Sequence, residues 1–485
     1  MLYYENQLNL GNIYSECSEM FKEQRPEFLE LLNKYIDINS YIPYSFKKAF
    51  YADTGRPRGC SLYGYVSALI LQKIFNIPSD TLLILILNLS SEVRHFCGID
   101  NVPDNSKWTR FKQNFADYLQ EMFIALVDFT EPICQSIDPE LATMLSYDTS
   151  AIESYVAENN PKYLNSTINK LKAYYNFKGI DKSNDDIYKQ AFKTLPKSAS
   201  SDSSIRKMYA NGHFCYGRKF GILTNGLGIP RHIDFLDDDF KSRHKDFIYE
   251  DSDNPDFDKS VSDNKSLKPF LNDFYNLHPS FHHDIFLGDA AFDSYSTYDF
   301  LLKENDDGIS LFKKAFIPLN SRATSDKPNC PINENGIPVC PNDHSILLKH
   351  AGRCHEKGRA DRDKWICPKF IRLSVSSATC TCVNPCTNAK FGRTAYTTPS
   401  KNLRLYPGTI RGTDEWNKIY KIRCNVEQTI NHIKQNMGIA GRKTRDAKTT
   451  KADVFLAGIA QLFTVIVADA MAKPQYIRSI KKLAC

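Results

Sequence analysis

The sequence predicts an α/β protein, a mixed sheet with flanking helices, and three observations carry that expectation. Two apolar runs end on aspartates: residues 141–147 before Asp148, and Ile285-Phe286-Leu287 before Gly288-Asp289. Between them, two β-prone runs at residues 218–224 and 229–235 flank Asn225-Gly226-Leu227-Gly228, a loop with the glycines a chain reversal needs. Far downstream, the chain turns helical from Asp414 onwards. Two acidic strand ends, a hairpin and a late helix describe one α/β domain interrupted by an insertion.

The elements follow in order. The first 130 residues are expected to be mostly helical. Residues 61–89 carry two apolar stretches parted at Asn76-Ile77-Pro78-Ser79, where Pro and Ser mark a helix boundary. Trp108, Phe111 and Phe115 then recur at helical spacing, with Arg110 and Lys112 between them. Residues 157–205 are polar and become Ser-rich, which predicts a loop or a long insertion. The expected domains are residues 1–130, a helical domain suited to DNA binding; 131–318, the first part of the core; 319–400, a Cys-rich insertion; and 401–485, the rest of the core with basic C-terminal helices.

Of the 485 residues, 42% are hydrophobic and 24% charged, ordinary values for a folded chain that exclude disorder as its main state. The net charge is +6, but residues 401–485 hold sixteen Lys or Arg against six Asp or Glu, a local +10. A basic segment on a near-neutral body suits a nucleic-acid partner, and a solvated basic face accounts for the same count. The start, Met1-Leu2-Tyr3-Tyr4-Glu5, lacks the basic and apolar signature of a signal peptide, so a cytoplasmic protein is expected. The apolar windows at residues 82–87 and 454–468 are too short or too interrupted for a membrane span and predict buried helices.

Seven of the 14 cysteines fall between Cys330 and Cys386. In a reducing compartment a local metal site explains this better than disulfides. Cys340, Cys367, Cys382 and Cys386 are the candidate ligands of a structural zinc, with Cys330, Cys354, Cys380, His344 and His355 as rivals and buried free thiols as the alternative.

The late helix is the most informative segment. If residues 420–434 form one α-helix, Tyr420, Arg423, Glu427 and Lys434 share a sector of about 60°, beside an apolar face of Ile419, Val426, Ile430, Ile433 and Met437. Such a helix holds one carboxylate near a sheet, flanked by cations. An exposed helix with an ordinary Arg–Glu pair is the plainer alternative.

The order Tyr420, Arg423, Glu427, Lys434 resembles the C-terminal signature of DDE transposases from bacterial insertion sequences. Residues 145–150 and 287–294 resemble that family's two acidic motifs, with Ala291 where Gly is common. Gly217-Arg218-Lys219 looks like part of its central strands. Gly55-Arg56-Pro57 and residues 94–111 resemble its N-terminal helical domain.

The resemblance implies a ribonuclease-H-like core that cleaves DNA ends and joins 3′-hydroxyls to target DNA. Asp148, Asp289 and Glu427 would be the catalytic carboxylates, holding Mg2+ or Mn2+, hard ions that favour carboxylate oxygens. Tyr420, Arg423 and Lys434 would contact DNA or hold Glu427. Arg442, Lys443 and Arg445, in the basic segment beyond, are expected to track the phosphate backbone. Double-stranded DNA, as terminal inverted repeats and target, is the implied partner, and a homodimer would pair two ends. Asp293 and the run Asp237-Asp238-Asp239 compete as ligands; Asp289 is preferred because it directly ends a strand. A catalytically inactive DNA-binding derivative and a metal-dependent nuclease without strand transfer are the alternative functions.

Overall fold

The computed structural model describes residues 27–51, 58–210, 213–247, 261–305, 308–320, 330–373, 378–390, 392–442 and 444–483. Gly55-Arg56-Pro57 and Lys443 lie outside the described residues. The chain forms two compact units. One comprises Met1–Ile133 with Asn431–Cys485, and the other Cys134–Ile430. The basic segment after residue 430 thus belongs with the N-terminal helices.

The first unit opens with helices α1 (Glu27–Tyr35), α2 (Tyr44–Phe50), α3 (Leu62–Ile74), α4 (Asp80–Leu89), α5 (Ser91–Phe96) and α6 (Asn105–Ile137), which is kinked at Phe115 and whose last residues pass into the second unit. The break expected at residues 76–79 is present. Asn76 takes a positive φ of 57°, and the Ser79 hydroxyl caps α4 by accepting the Leu82 N–H at 3.2 Å. Trp108, Phe111 and Phe115 are buried, and Phe111 stacks on Tyr65 with ring centroids 4.6 Å apart. The aromatic spacing on α6 is therefore a core stripe.

The second unit begins at the short helix α7 (Pro139–Ala142) and strand β1 (Met144–Glu153). β1 does not stop at Asp148 but continues five residues beyond it. The stretch expected as a loop or a long insertion is not a loop: it contains helices α8 (Pro161–Phe177) and α9 (Asn184–Thr194) and the short strand β2 (Ser198–Ala199). Its polar composition hid α8, no residue of which is fully buried, while α9 buries Ile187, Ala191 and Phe192 within an otherwise polar run. The local signals are present: Asn160 caps α8 with Pro161 in its first turn, and Ser183 caps α9.

Strands β3 (Asp202–Ala210), β4 (His213–Asn225) and β5 (Pro230–Phe235), helices α10 (Asp238–Arg243) and α11 (Asp263–Leu277), strand β6 (Ile285–Leu287), helix α12 (Tyr295–Leu302) and strand β7 (Lys314–Phe316) follow. Together they build a mixed sheet in the order β2-β3-β4-β1-β6-β7, with β5 also paired to β4. β1 runs antiparallel to β4 and parallel to β6, which is parallel to β7. The expected hairpin is β4–β5. Its Gly226 sits where a Cβ would lie 2.6 Å from the Leu141 carbonyl oxygen, so only glycine fits there.

Strands β8 (Lys349–Glu356), β9 (Arg359–Ile366), β10 (Phe370–Arg372), β11 (Ala378–Cys380) and β12 (Thr394–Thr397) form two small antiparallel sheets of their own, β12-β9-β8 and β10-β11. Trp365 is buried against Leu348 and Ala395 beneath the larger one.

The late helical segment is not one α-helix. Helix α13 (Asp414–Tyr420) passes through a tight turn at Lys421–Arg423 into α14 (Cys424–Asn431), and a π-turn follows at His432–Asn436. The wider π-turn rotates later residues out of the α-helical register. Lys434 does not share the exposed stripe; it is buried.

Back in the first unit, α15 (Ala447–Ala470) is long and apolar enough to cross a membrane by length and composition, yet 94% of its most apolar window is buried inside the protein. It is a core helix. Asp453 on α15 accepts from Lys73 Nζ at 2.8 Å, lies 3.1 Å from Lys112 Nζ and pairs with Arg442. Asp80 binds Lys112 at 2.7 Å and Arg442 at 2.6 Å. Arg442, expected to face DNA, is instead locked in this buried network, because two carboxylates inside the helical core need cations beside them.

Candidate active site

The sheet brings two of the three expected carboxylates to one place. Ser146 of β1 pairs with Leu287 of β6 in parallel register. Two residues further on, Asp148, still inside β1, and Asp289, just past the end of β6, therefore lie side by side. Asp148 Oδ1 accepts the Thr149 N–H at 2.8 Å, and Asp289 caps the turn Ala290–Phe292 by accepting the Ala291 N–H at 2.7 Å.

Helix α14 delivers the third. Its Asn425 donates from Nδ2 to the Gly226 carbonyl at 2.7 Å, and the Thr429 hydroxyl donates to the Gly228 carbonyl at 2.7 Å. The glycine loop of the β4–β5 hairpin is thus the mooring of the helix that carries Glu427. Trp416 of α13 packs with Met144, Leu287 and Phe316, and Tyr420 stacks on Trp416 at 4.6 Å. Tyr420 is therefore half-buried packing for this support.

Arg423 joins the three acids. Its Nη1 donates to Glu427 Oε1 at 2.6 Å, and its Nη2 lies 3.7 Å from Asp148 Oδ2 and 3.7 Å from Asp289 Oδ2. The guanidinium is 12% exposed, while Asp148, Asp289 and Glu427 are 20%, 38% and 51% exposed. The cluster is rooted in the protein and open on its carboxylate side. Burial, together with the charges of Asp289 and Glu427, pushes the Asp148 carboxyl up to about 6 against the opposing pull of Arg423. Three carboxylates around one monovalent cation leave negative charge in excess. Carboxylate oxygens are the donors that a hard divalent ion takes, and here they are arrayed around the guanidinium.

The rival acids are placed elsewhere. Asp293 is buried, accepting from Arg404 Nη2 at 2.6 Å and from the Asn320 N–H at 2.7 Å. Asp237 caps α10, and Asp238 and Asp239 occupy its exposed first turn. Arg445 is exposed in the first unit.

Among the cysteines, Cys340 and Cys367 are buried, and Cys382 and Cys386 are partly exposed. Cys386 hydrogen-bonds Cys340 beside Cys367, and its thiol is pushed up first by burial and then by those neighbours. Cys382 hydrogen-bonds Cys380, also beside Cys367, and is raised by that bond first. Cys380 thus touches Cys382 and is its rival as a ligand. His355 pairs with Asp361 at 2.8 Å on an exposed ribbon.

Among the described residues, the group whose ligand atoms lie within 4.8 Å of one another is Glu153, His213 and Cys215, which the sequence reading did not single out. The His213–Cys215 alternation on one strand was its only sequence signal.

Residues 16–114 match the family model described as Transposase domain (DUF772). That match supports a transposase role. No curated protein matches the chain. The matched stretch lies in the helical first unit, whereas the carboxylate cluster lies in the second.

Proposed function

We propose that this transposase-family chain is a DDE-type enzyme of a bacterial insertion sequence, with a ribonuclease-H-like core. It binds terminal inverted repeats, cleaves at the element ends and transfers 3′-hydroxyls to target DNA, working as a homodimer that pairs two ends. The observation that carries this reading is the convergence of Asp148, Asp289 and Glu427 on Arg423. The mixed sheet supports it: an antiparallel β5-β4-β1 half is continued by parallel β6 and β7, with the acids on β1, after β6 and on a late helix.

Asp148, Asp289 and Glu427 would hold Mg2+ or Mn2+. A divalent ion there supplies charge stabilisation for an in-line displacement at phosphorus and activates the attacking oxygen. Arg423 holds Glu427 in place from one helical turn away and offsets the mutual repulsion of the acids. Its role in this reading is positioning rather than DNA contact. Cys340, Cys367, Cys382 and Cys386 would hold a structural zinc, with Cys380 as the rival to Cys382.

The test uses the purified full chain, DNA flanking its reading frame, and Mg2+ or Mn2+. Asp148→Ala, Asp289→Ala and Glu427→Ala should each abolish end cleavage and leave DNA binding largely intact. Cleavage persisting in Glu427→Ala would remove the assignment, and cleavage without joined products in the wild type would mark a plain nuclease.

A further inference from the structure

Strand β1 ends at Glu153, whose partner on β4 is Gly217. A Cβ at Gly217 would collide with the Ile152 carbonyl oxygen, so a glycine is what lets the end of β1 come this close to β4. Two and four residues back along β4 stand Cys215 and His213, on one face of the strand because side chains alternate. The three side chains converge. A carboxylate oxygen of Glu153, a ring nitrogen of His213 and the Cys215 Sγ lie within 4.8 Å of one another, and His213 Nε2 pairs with Glu153 Oε1. Cys215 is only 3% exposed, whereas the side chains of Glu153 and His213 are 38% and 50% exposed. The thiol is therefore rooted in the protein, and the other two donors meet solvent.

An ordinary His–Glu pair on a sheet surface needs no thiol beside it. Carboxylate, imidazole and thiol together are the donor set of a borderline divalent ion, whereas Mg2+ favours oxygens alone. Bonds to zinc of about 2.0–2.3 Å set neighbouring tetrahedral ligands roughly 3.3–3.8 Å apart. The three atoms would have to draw in by about 1–1.5 Å at most. One carboxylate and one thiolate cancel the two charges of the ion, and the imidazole binds neutral, so the loaded site leaves no unpaired charge at a half-buried place. Binding sends the thiol proton to solvent.

We propose that Glu153, His213 and Cys215 form a zinc site that fastens the end of β1 to the start of β4, with water as the fourth ligand. Asp148 lies on the same β1 strand, so the ion would steady the strand that carries it. The proposal is independent of the transposase reading and of the thiol group formed by Cys340, Cys367, Cys382 and Cys386. With three protein ligands and an open side, this site holds its ion more weakly than four thiolates do and fills from added Zn2+.

The experiment dialyses the full, reduced chain against Zn2+ and counts the bound metal, then repeats the titration with Co2+, whose near-ultraviolet absorption reports thiolate ligands. His213→Ala and Glu153→Gln, both at partly exposed positions, should each weaken the binding of one equivalent per chain by at least about tenfold. Cys215→Ser should remove the same equivalent together with one thiolate's share of the cobalt absorption. If Cys215→Ser fails to fold, the other two variants decide the matter. Unchanged zinc stoichiometry and affinity in folded His213→Ala overturns the site and leaves a His–Glu pair beside a packed thiol. A folded Cys340→Ser protein that binds no zinc at all overturns it as well. Since the readout is metal content, neither result bears on whether the chain cleaves DNA.

Discussion

Arg423 donates to Glu427 across one helical turn at 2.6 Å, while its other terminal nitrogen stands 3.7 Å from both Asp148 and Asp289. One guanidinium therefore neutralises part of a three-carboxylate cluster. The remaining negative charge has no cation of its own among the described residues.

That relationship makes the divalent ion and Arg423 partial substitutes in stabilising the fold. Arg423→Ala should melt earlier than wild type in chelator, and Mn2+ should raise its melting temperature more than it raises that of the wild type. A tenfold gain in metal affinity adds about 1.4 kcal/mol at saturating ion. Equal Mn2+ shifts in the two proteins would show that Arg423 does not share the ion's role.

Asp289 and Asp293 lie four residues apart and should fail in different ways. Asp293→Ala strands the buried Arg404 guanidinium and is expected to destabilise by about 3–5 kcal/mol. Asp289→Ala loses one turn cap, worth about 1 kcal/mol, and should lose cleavage while remaining folded. Urea denaturation of both variants decides it. An Asp293→Ala protein as stable as wild type would refute a structural role for the pair.

The buried network of the helical unit holds three cations against two carboxylates, and Lys73 is the surplus one. Burial first, then Arg442 and Lys112, pull its ammonium down from 10.5 to about 7, against the pull of Asp453. Between those values the unfolded chain holds a proton that the folded chain has released, so this group makes stability rise with pH across that window. Below about 7 the fold carries the whole burden of the buried charge. Lys73→Met should therefore be more stable than wild type at pH 6, by an order of a few kcal/mol, with the gap closing towards pH 10. Denaturant melts at pH 6, 8 and 10 measure this, and a less stable variant at pH 6 would show that the Asp453 pairing outweighs desolvation.

The thiol group predicts about one zinc per chain in freshly purified, reduced protein. Cys340→Ser and Cys367→Ser should lose it, whereas Cys354→Ser, on the exposed β8–β9 ribbon, should retain it. Comparing Cys380→Ser with Cys382→Ser identifies the fourth ligand. Elemental analysis with no zinc in the wild type would leave buried free thiols as the explanation.

The amino-acid sequence by itself determined the elements whose signals are local. The helix boundary at Ser79, the Asn225–Gly228 reversal, the apolar β6 run before Asp289 and the i, i+4 pairing of Arg423 with Glu427 all depend on neighbours a few residues away. Helix α8 escaped because a helix without a fully buried face leaves little apolar periodicity, and α9 because its buried Ile187, Ala191 and Phe192 are few among polar residues, although the caps of both were in view. What only the tertiary structure decided were relations between distant segments. Parallel register put Asp148 beside Asp289, a glycine loop moored the helix of Glu427, and the same tertiary packing buried Arg442 and Lys434 away from the stripes that spacing alone suggests. The physical reason is that charge in a sequence carries no information on burial. A cation count is the same whether the side chain meets phosphate or closes a salt bridge in the core, and only packing distinguishes the two.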